Sequence, residues 1–117
     1  MNQPNEVPLE ITVQEVAQRL RDPSPERSFV LLDVREPDEY ETAKIEGSRL
    51  IPMGELRQRL SELEPHRDDA IVVHCHHGGR SLQVTEALRA AGFTHVQNMA
   101  GGIDQWSQQV DPDVPRY

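Results

Sequence analysis

The chain has 117 residues, 20 Asp and Glu against 12 Lys and Arg, a formal net charge of −8 and a single cysteine. That length fits one domain with a real core and excludes two, and one thiol excludes an internal disulfide. With Lys44 as its only lysine, the chain offers no basic stripe for nucleic acid or anionic lipid, and no apolar run approaches the roughly 20 residues of a membrane span.

Residues 1–8, with Pro4 and Pro8, are polar and read as an extended N-terminal arm ahead of a domain over 9–110. Thr12 followed by Glu15 is a capping-box pattern, and Val13, Val16, Ala17 and Leu20 recur at helical spacing, which predicts a helix over 13–21. Asp22-Pro23-Ser24-Pro25 should end it. Phe29 to Leu32 is a short continuous apolar run leading into Asp33, as expected of a strand buried on both faces. Pro37 can open a short acidic helix containing Glu39, Tyr40 and Glu41.

Ser48 to Ile51 reads as a brief strand, and Met53, Leu56, Leu60 and Leu63 as one face of the next helix. Ala70 to Val73 is a second buried-strand run, ending at His74-Cys75. Val84, Ala87, Leu88 and Ala91 trace a helical stripe stopped by Gly92. His95 to Met99 predicts a last strand, and Gly101 to Val110 a last helix presenting Ile103 and Trp106. Residues 111–117, with two prolines, read as an extended C-terminal tail. Strands alternating with helices imply an α/β fold: a central, mainly parallel sheet of about five strands with helices on both faces.

In such sheets ligands gather at the carboxyl ends of strands, and Cys75-His-His-Gly-Gly-Arg-Ser81 should lie there. Gly78 and Gly79 allow backbone turns closed to other residues, so successive N–H groups can curl toward the Cys75 sulfur. The following helix adds the positive end of its dipole and Arg80 a full charge, which should lower the thiol pKa below the free value of about 8.5. The alternative is that Cys75 is only a small buried hydrophobe at a strand end. His74, Cys75, His76 and His77 are contiguous metal-ligand types. Neighbours in a strand point to opposite faces and structural zinc uses spaced pairs, so no metal is expected. No cofactor is expected either.

Four motifs in order resemble the rhodanese family of sulfurtransferases in its single-domain form. They are Leu32-Asp-Val-Arg-Glu36 with Glu39-Tyr40, Ile45-Glu-Gly47 with Ile51-Pro52, His74-Cys75 through Ser81, and Gly101-Gly102 with Trp106. The resemblance implies the rhodanese-like α/β fold and a Cys75 that holds a sulfane sulfur as a persulfide. It also implies a small anionic donor such as thiosulfate, and a thiol, cyanide or protein acceptor. Cys75 to Arg80 is six residues, the loop length the resemblance associates with sulfurtransferases. Related phosphatases and arsenate reductases carry one residue more, enough to wrap a tetrahedral oxyanion. A non-turnover sulfur carrier or protein-interaction module is the alternative from another class.

On this reading Cys75 is the nucleophile, and N–H groups from His76, His77, Gly78, Gly79, Arg80 and Ser81 stabilise the anionic persulfide. Arg80 is expected to contact the anion. His76 and His77 either bind a donor sulfonate when protonated or stand beside the site as polar rings. Asp33 and Arg35, at the end of the other buried strand, are expected near the same rim; a salt bridge or loop tie is weighed there against a supporting role. Lys44 stands where the family commonly has histidine. The single thiol points to a reducing compartment, the cytoplasm.

Overall fold

A computed structural model describes residues 7–22 and 29–117. In chain order these form β1 (Glu10–Ile11), α1 (Val13–Arg21), β2 (Phe29–Asp33), α2 (Pro37–Thr42), β3 (Arg49–Leu50), α3 (Leu56–Arg59), β4 (Ala70–His74), α4 (Gly79–Ala90), β5 (His95–Met99) and α5 (Gly102–Gln109). Most of the expected N-terminal arm and the Pro23–Pro25 stop lie outside the described residues. Within them Asp22 ends α1, its N–H bonding Gln18 O at 3.0 Å. At the other end of α1 the capping box forms: Thr12 Oγ1 accepts from Glu15 N, and Glu15 Oε1 accepts from Thr12 N.

Among the described residues five strands make one sheet, ordered β1-β5-β4-β2-β3 and parallel throughout. β2 and β4 run side by side, Leu31 opposite Val72 and Asp33 opposite His74. The uninterrupted apolar runs of these strands follow from that central place, because a parallel strand covered on both faces has no polar side. Alternate residues serve two separate cores. Leu31, Val72 and Met99 pack with Val13, Val16 and Ala17 of α1 and with Ile103 and Trp106 of α5. Leu32, Ile71, Val73 and Val96 pack on the other face with Val84 and Leu88 of α4 and with Leu63 and Phe93. Each fully buried Leu or Val contributes about 1.5–3 kcal/mol.

The structure departs from the sequence expectation in four places. β1 is a two-residue strand with no periodicity to announce it, and it takes its register from β5. The helix expected through Met53, Leu56, Leu60 and Leu63 is broken into 3-10 turns at Met53–Glu55, Leu60–Glu62 and Glu64–His66 around the single turn of α3. Spacings of three and four serve a tightened 3-10 path nearly as well as an α-helix, and Pro65 sits in the last turn. In α4 the inward stripe is Ser81, Val84, Thr85 and Leu88. Ala87 and Ala91 turn outward and line an open groove of about 580 Å³ with Met53, Leu56 and Leu60. Residues 111–117, expected to extend, instead fold back: Val114 is buried against the α1/α5 core, and Tyr117 bonds to Arg35.

This topology creates one crevice. From β2 the chain crosses toward β3 at one edge, whereas from β4 it crosses toward β5 on the other side. The loops leaving these neighbouring strands therefore diverge, and a cleft opens between them at their carboxyl ends. Among the described residues no helix is long and apolar enough to cross a membrane.

Arg35, fully buried, holds the β2 side of the cleft together. Its Nε and Nη2 donate to Asp33 at 3.0 and 2.7 Å, Nη2 to Ala43 O at 2.6 Å, and Nη1 to Tyr117 Oη at 2.8 Å. Removing one partner of such a pair strands the other charge in the interior. Arg35→Leu is accordingly expected to lower stability by about 3–5 kcal/mol, read as a shift of the urea unfolding midpoint.

Candidate active site

Cys75 leaves β4 and faces the α4 side, where it is 1% exposed. Gly78 caps α4 with φ +113°, a left-handed conformation that a side chain strongly disfavours. This turn brings Gly78 N to 3.1 Å from Cys75 Sγ; one helical turn further, Ser81 N and Oγ reach the sulfur at 3.4 and 3.3 Å. The Ser81 hydroxyl carries one proton and also lies within reach of Gly78 O and Asn98 Oδ1. Asn98 is itself fixed by donating to Glu10 Oε2 of β1 and to Gly78 O, so the unannounced strand supports the loop.

The carbonyls of the loop are turned the other way. Cys75 O accepts from Ile103 N at 2.9 Å and His76 O from Asp104 N at 3.0 Å, both in the first turn of α5. That approach needs Gly102: a Cβ there would sit 2.4 Å from His76 O and 2.6 Å from Cys75 O. Burial opposes ionisation of the Cys75 thiol, but the Ser81 hydroxyl and the N–H groups of Ser81, Gly78 and His77 outweigh it. The pKa is held below its ordinary value, and the group is disposed to act as a thiolate.

Of the six N–H groups expected to converge, the structure places those of Gly78 and Ser81 on the sulfur, with His77 contributing to the field. Arg80 differs from expectation. Both its Nη atoms are on Glu39, at 2.8 and 2.9 Å, so its charge is shared with a carboxylate. Arg80 is raised chiefly by that bond, and Glu39 is held down to about 2, chiefly by Arg80 against an opposing effect of burial. His76 stacks on Tyr117, and burial, reinforced by His77, lowers its pKa. His77 is exposed, with Nε2 at 3.8 Å from Asp104. His76, His77 and Asp104 keep possible ligand atoms within 4.8 Å of one another, though Asp104 is also held by Arg116 at 2.9 Å. His74 does not join them: it is buried beneath the cleft, 3.9 Å from Asp33, and burial pushes its pKa down to about 4. Asp33 and Arg35 lie across the cleft and reach the rim through Tyr117 and Glu39. Lys44, at the family's histidine position, places its ammonium 5.2 Å from the Tyr40 ring centroid.

Sequence reasoning missed Glu39 and Tyr117 as members of this site. Glu39 had a signal, since an acidic residue in the β2–α2 motif faces a loop ending in arginine. Tyr117 had none, as it meets Arg35 across 82 positions.

A parallel sheet with one thiol cradled by amides at the end of its central strand defines an α/β domain built around a buried cysteine. Comparison with known proteins agrees: the family model for the rhodanese-like domain matches residues 12–109, and the chain belongs to that family. It is 37% identical over 112 residues to the chloroplastic rhodanese-like/PpiC domain-containing protein 12 of Arabidopsis thaliana, covering 92% of this chain but only 37% of the plant protein. It is 38% identical over 72 residues to the thiosulfate sulfurtransferase PspE of Escherichia coli, covering 62% of this chain and 68% of PspE. The human single-domain sulfurtransferase TSTD1 superposes with a TM-score of 0.75 at 25% identity, covering 88% of this chain and 98% of the human one.

The Glu39 carboxylate is depressed from 4.5 to about 2. It therefore contributes stability that is complete above pH 4.5 and is lost as the pH falls toward 2. Thermal melts of Glu39→Gln should lie below those of the unsubstituted chain at neutral pH, and the gap should close on acidification through that window.

Proposed function

We propose that this chain is a sulfurtransferase that moves a sulfane sulfur from thiosulfate or a persulfide donor to a thiophilic acceptor through a persulfide on Cys75. The observation that carries this reading is the Cys75 sulfur meeting Gly78 N of its six-residue loop and the N and Oγ of Ser81, the residue that follows the loop. In the first step the Cys75 thiolate attacks the outer sulfur of the donor. A sulfur–sulfur bond forms as the donor's own bond breaks, and sulfite or the donor thiolate leaves with the electron pair. In the second step cyanide, a small thiol or a protein thiol attacks the outer sulfur of the persulfide, and the Cys75 thiolate is the leaving group. Bond order and charge balance without an external oxidant, a cofactor or a metal.

The loop's role is electrostatic. N–H groups already aimed at the sulfur stabilise a thiolate and then a persulfide anion with little reorganisation, and the head of α4 adds its dipole. Gly79 and Arg80 form that head. Arg80, shared with Glu39, fixes the rim and offers the donor's anionic end only part of its charge. His77 is the exposed histidine able to meet that end, while His76 serves as a neutral ring. The acceptor's attack returns Cys75 as a free thiolate, a form that a reducing compartment such as the cytoplasm preserves.

Intact-mass measurement after treatment with thiosulfate tests the reading. A gain of one sulfur atom is expected, removed by cyanide and absent from Cys75→Ser. No gain would overturn the mechanism, and sulfur uptake without cyanide turnover would identify a carrier instead. Hydrolysis of a phosphate ester should be undetectable.

A further inference from the structure

Three rings stand in a row beside the loop that holds Cys75. His77 and His76 have centroids 3.9 Å apart, and His76 and Tyr117 have centroids 3.9 Å apart and planes within 6°. Both ends of the row are fastened. Tyr117 Oη accepts from Arg35 Nη1 at 2.8 Å and donates to Glu39 Oε1 at 2.9 Å. At the other end His77 Nε2 lies 3.8 Å from Asp104 Oδ2, and Asp104 is gripped by Arg116 at 2.9 Å and by Gln108 at 3.0 Å. Two consecutive residues, Arg116 and Tyr117, thus close a circuit through both loop histidines.

The circuit also spans the loop. Tyr117 touches its second residue, His76, directly, and reaches its last, Arg80, through the Glu39 carboxylate that both of them bond. His76 is then held at two points, by its ring on Tyr117 and by its carbonyl on Asp104 N. The peptide between those points leads into the His77 and Gly78 amides that face the sulfur.

We propose that Tyr117 is a positioning and specificity-determining residue, whose ring, stacked on His76, is a rigid wall that admits small reagents to Cys75 and holds back bulky ones. This rests on the reading of Cys75 as the sulfur-bearing nucleophile and adds to it the class of acceptor. Unhindered small nucleophiles such as cyanide pass the wall, and larger thiols are slowed by it.

The test compares alkylation of Cys75 by iodoacetamide, which is small, and monobromobimane, a neutral bicyclic reagent, at a pH where the thiol is fully ionised. The quantity read is the ratio of the bimane to the iodoacetamide rate constant. Tyr117→Ala should raise that ratio at least about fivefold, whereas Tyr117→Phe, which keeps the ring and loses the hydroxyl bonds, should stay within about twofold of the unsubstituted chain. A merely structural role would loosen the loop toward both reagents alike and leave the ratio unmoved, which would overturn the proposal. Equal ratios for Tyr117→Ala and Tyr117→Phe would also overturn it, by assigning the effect to the hydroxyl. On the thiosulfate-loaded enzyme, Tyr117→Ala should raise kcat/KM for glutathione relative to that for cyanide. If the unsubstituted chain takes up no sulfur, the sulfurtransferase reading fails, and the alkylation ratio still decides the role of Tyr117.

Discussion

The carbonyls of Cys75 and His76 are bonded to the first amides of α5, and the rest of the site depends on that. A peptide plane has two polar edges; fixing the carbonyl edge outward turns the N–H edge inward. The planes fixed in this way carry the His76 and His77 amides, of which His77 contributes to the field at the Cys75 sulfur, and they are held by a helix on the opposite face of the sheet from α4. Gly102 makes this possible, because any Cβ there would overlap the two carbonyls it must approach. The motif near residue 101 thus serves the loop at residue 75.

The field at the sulfur comes from dipoles more than from whole charges. A chain of net charge −8 should repel a small anion, and Arg80 of the loop directs both its Nη atoms to Glu39. Arg35 is likewise matched by Asp33. What faces the sulfur is the set of backbone N–H groups and the Ser81 hydroxyl. These bring the thiol pKa below its ordinary value even though burial pushes it the other way. Dipoles held by packing need not reorganise when charge appears, and they bring no carboxylate with them.

Much of the architecture was legible along the chain because it rests on local patterns. The runs at Phe29, Ala70 and His95 became the three central strands, Thr12 and Glu15 capped α1, and Pro37 opened α2. Where local pattern was weak, legibility failed. β1 is too short to show alternation, and its two residues are strand only because β5 offers them partners. The 53–66 segment has apolar spacings that suit two kinds of helical turn. Ala87 and Ala91 have side chains too small to dictate which face turns inward.

The sequence by itself determined the fold class, the family resemblance and the place of Cys75 at a glycine-bearing turn before a helix, since all three depend on neighbours in the chain. The tertiary structure decided what surrounds that cysteine. It gave Arg80 to Glu39, set Asn98 and Glu10 behind the loop, and laid Tyr117 across His76. These pairings join residues separated by 41 to 88 positions. No periodicity or spacing encodes such contacts, because only packing two cores onto the faces of one sheet brings their chain segments to the same end.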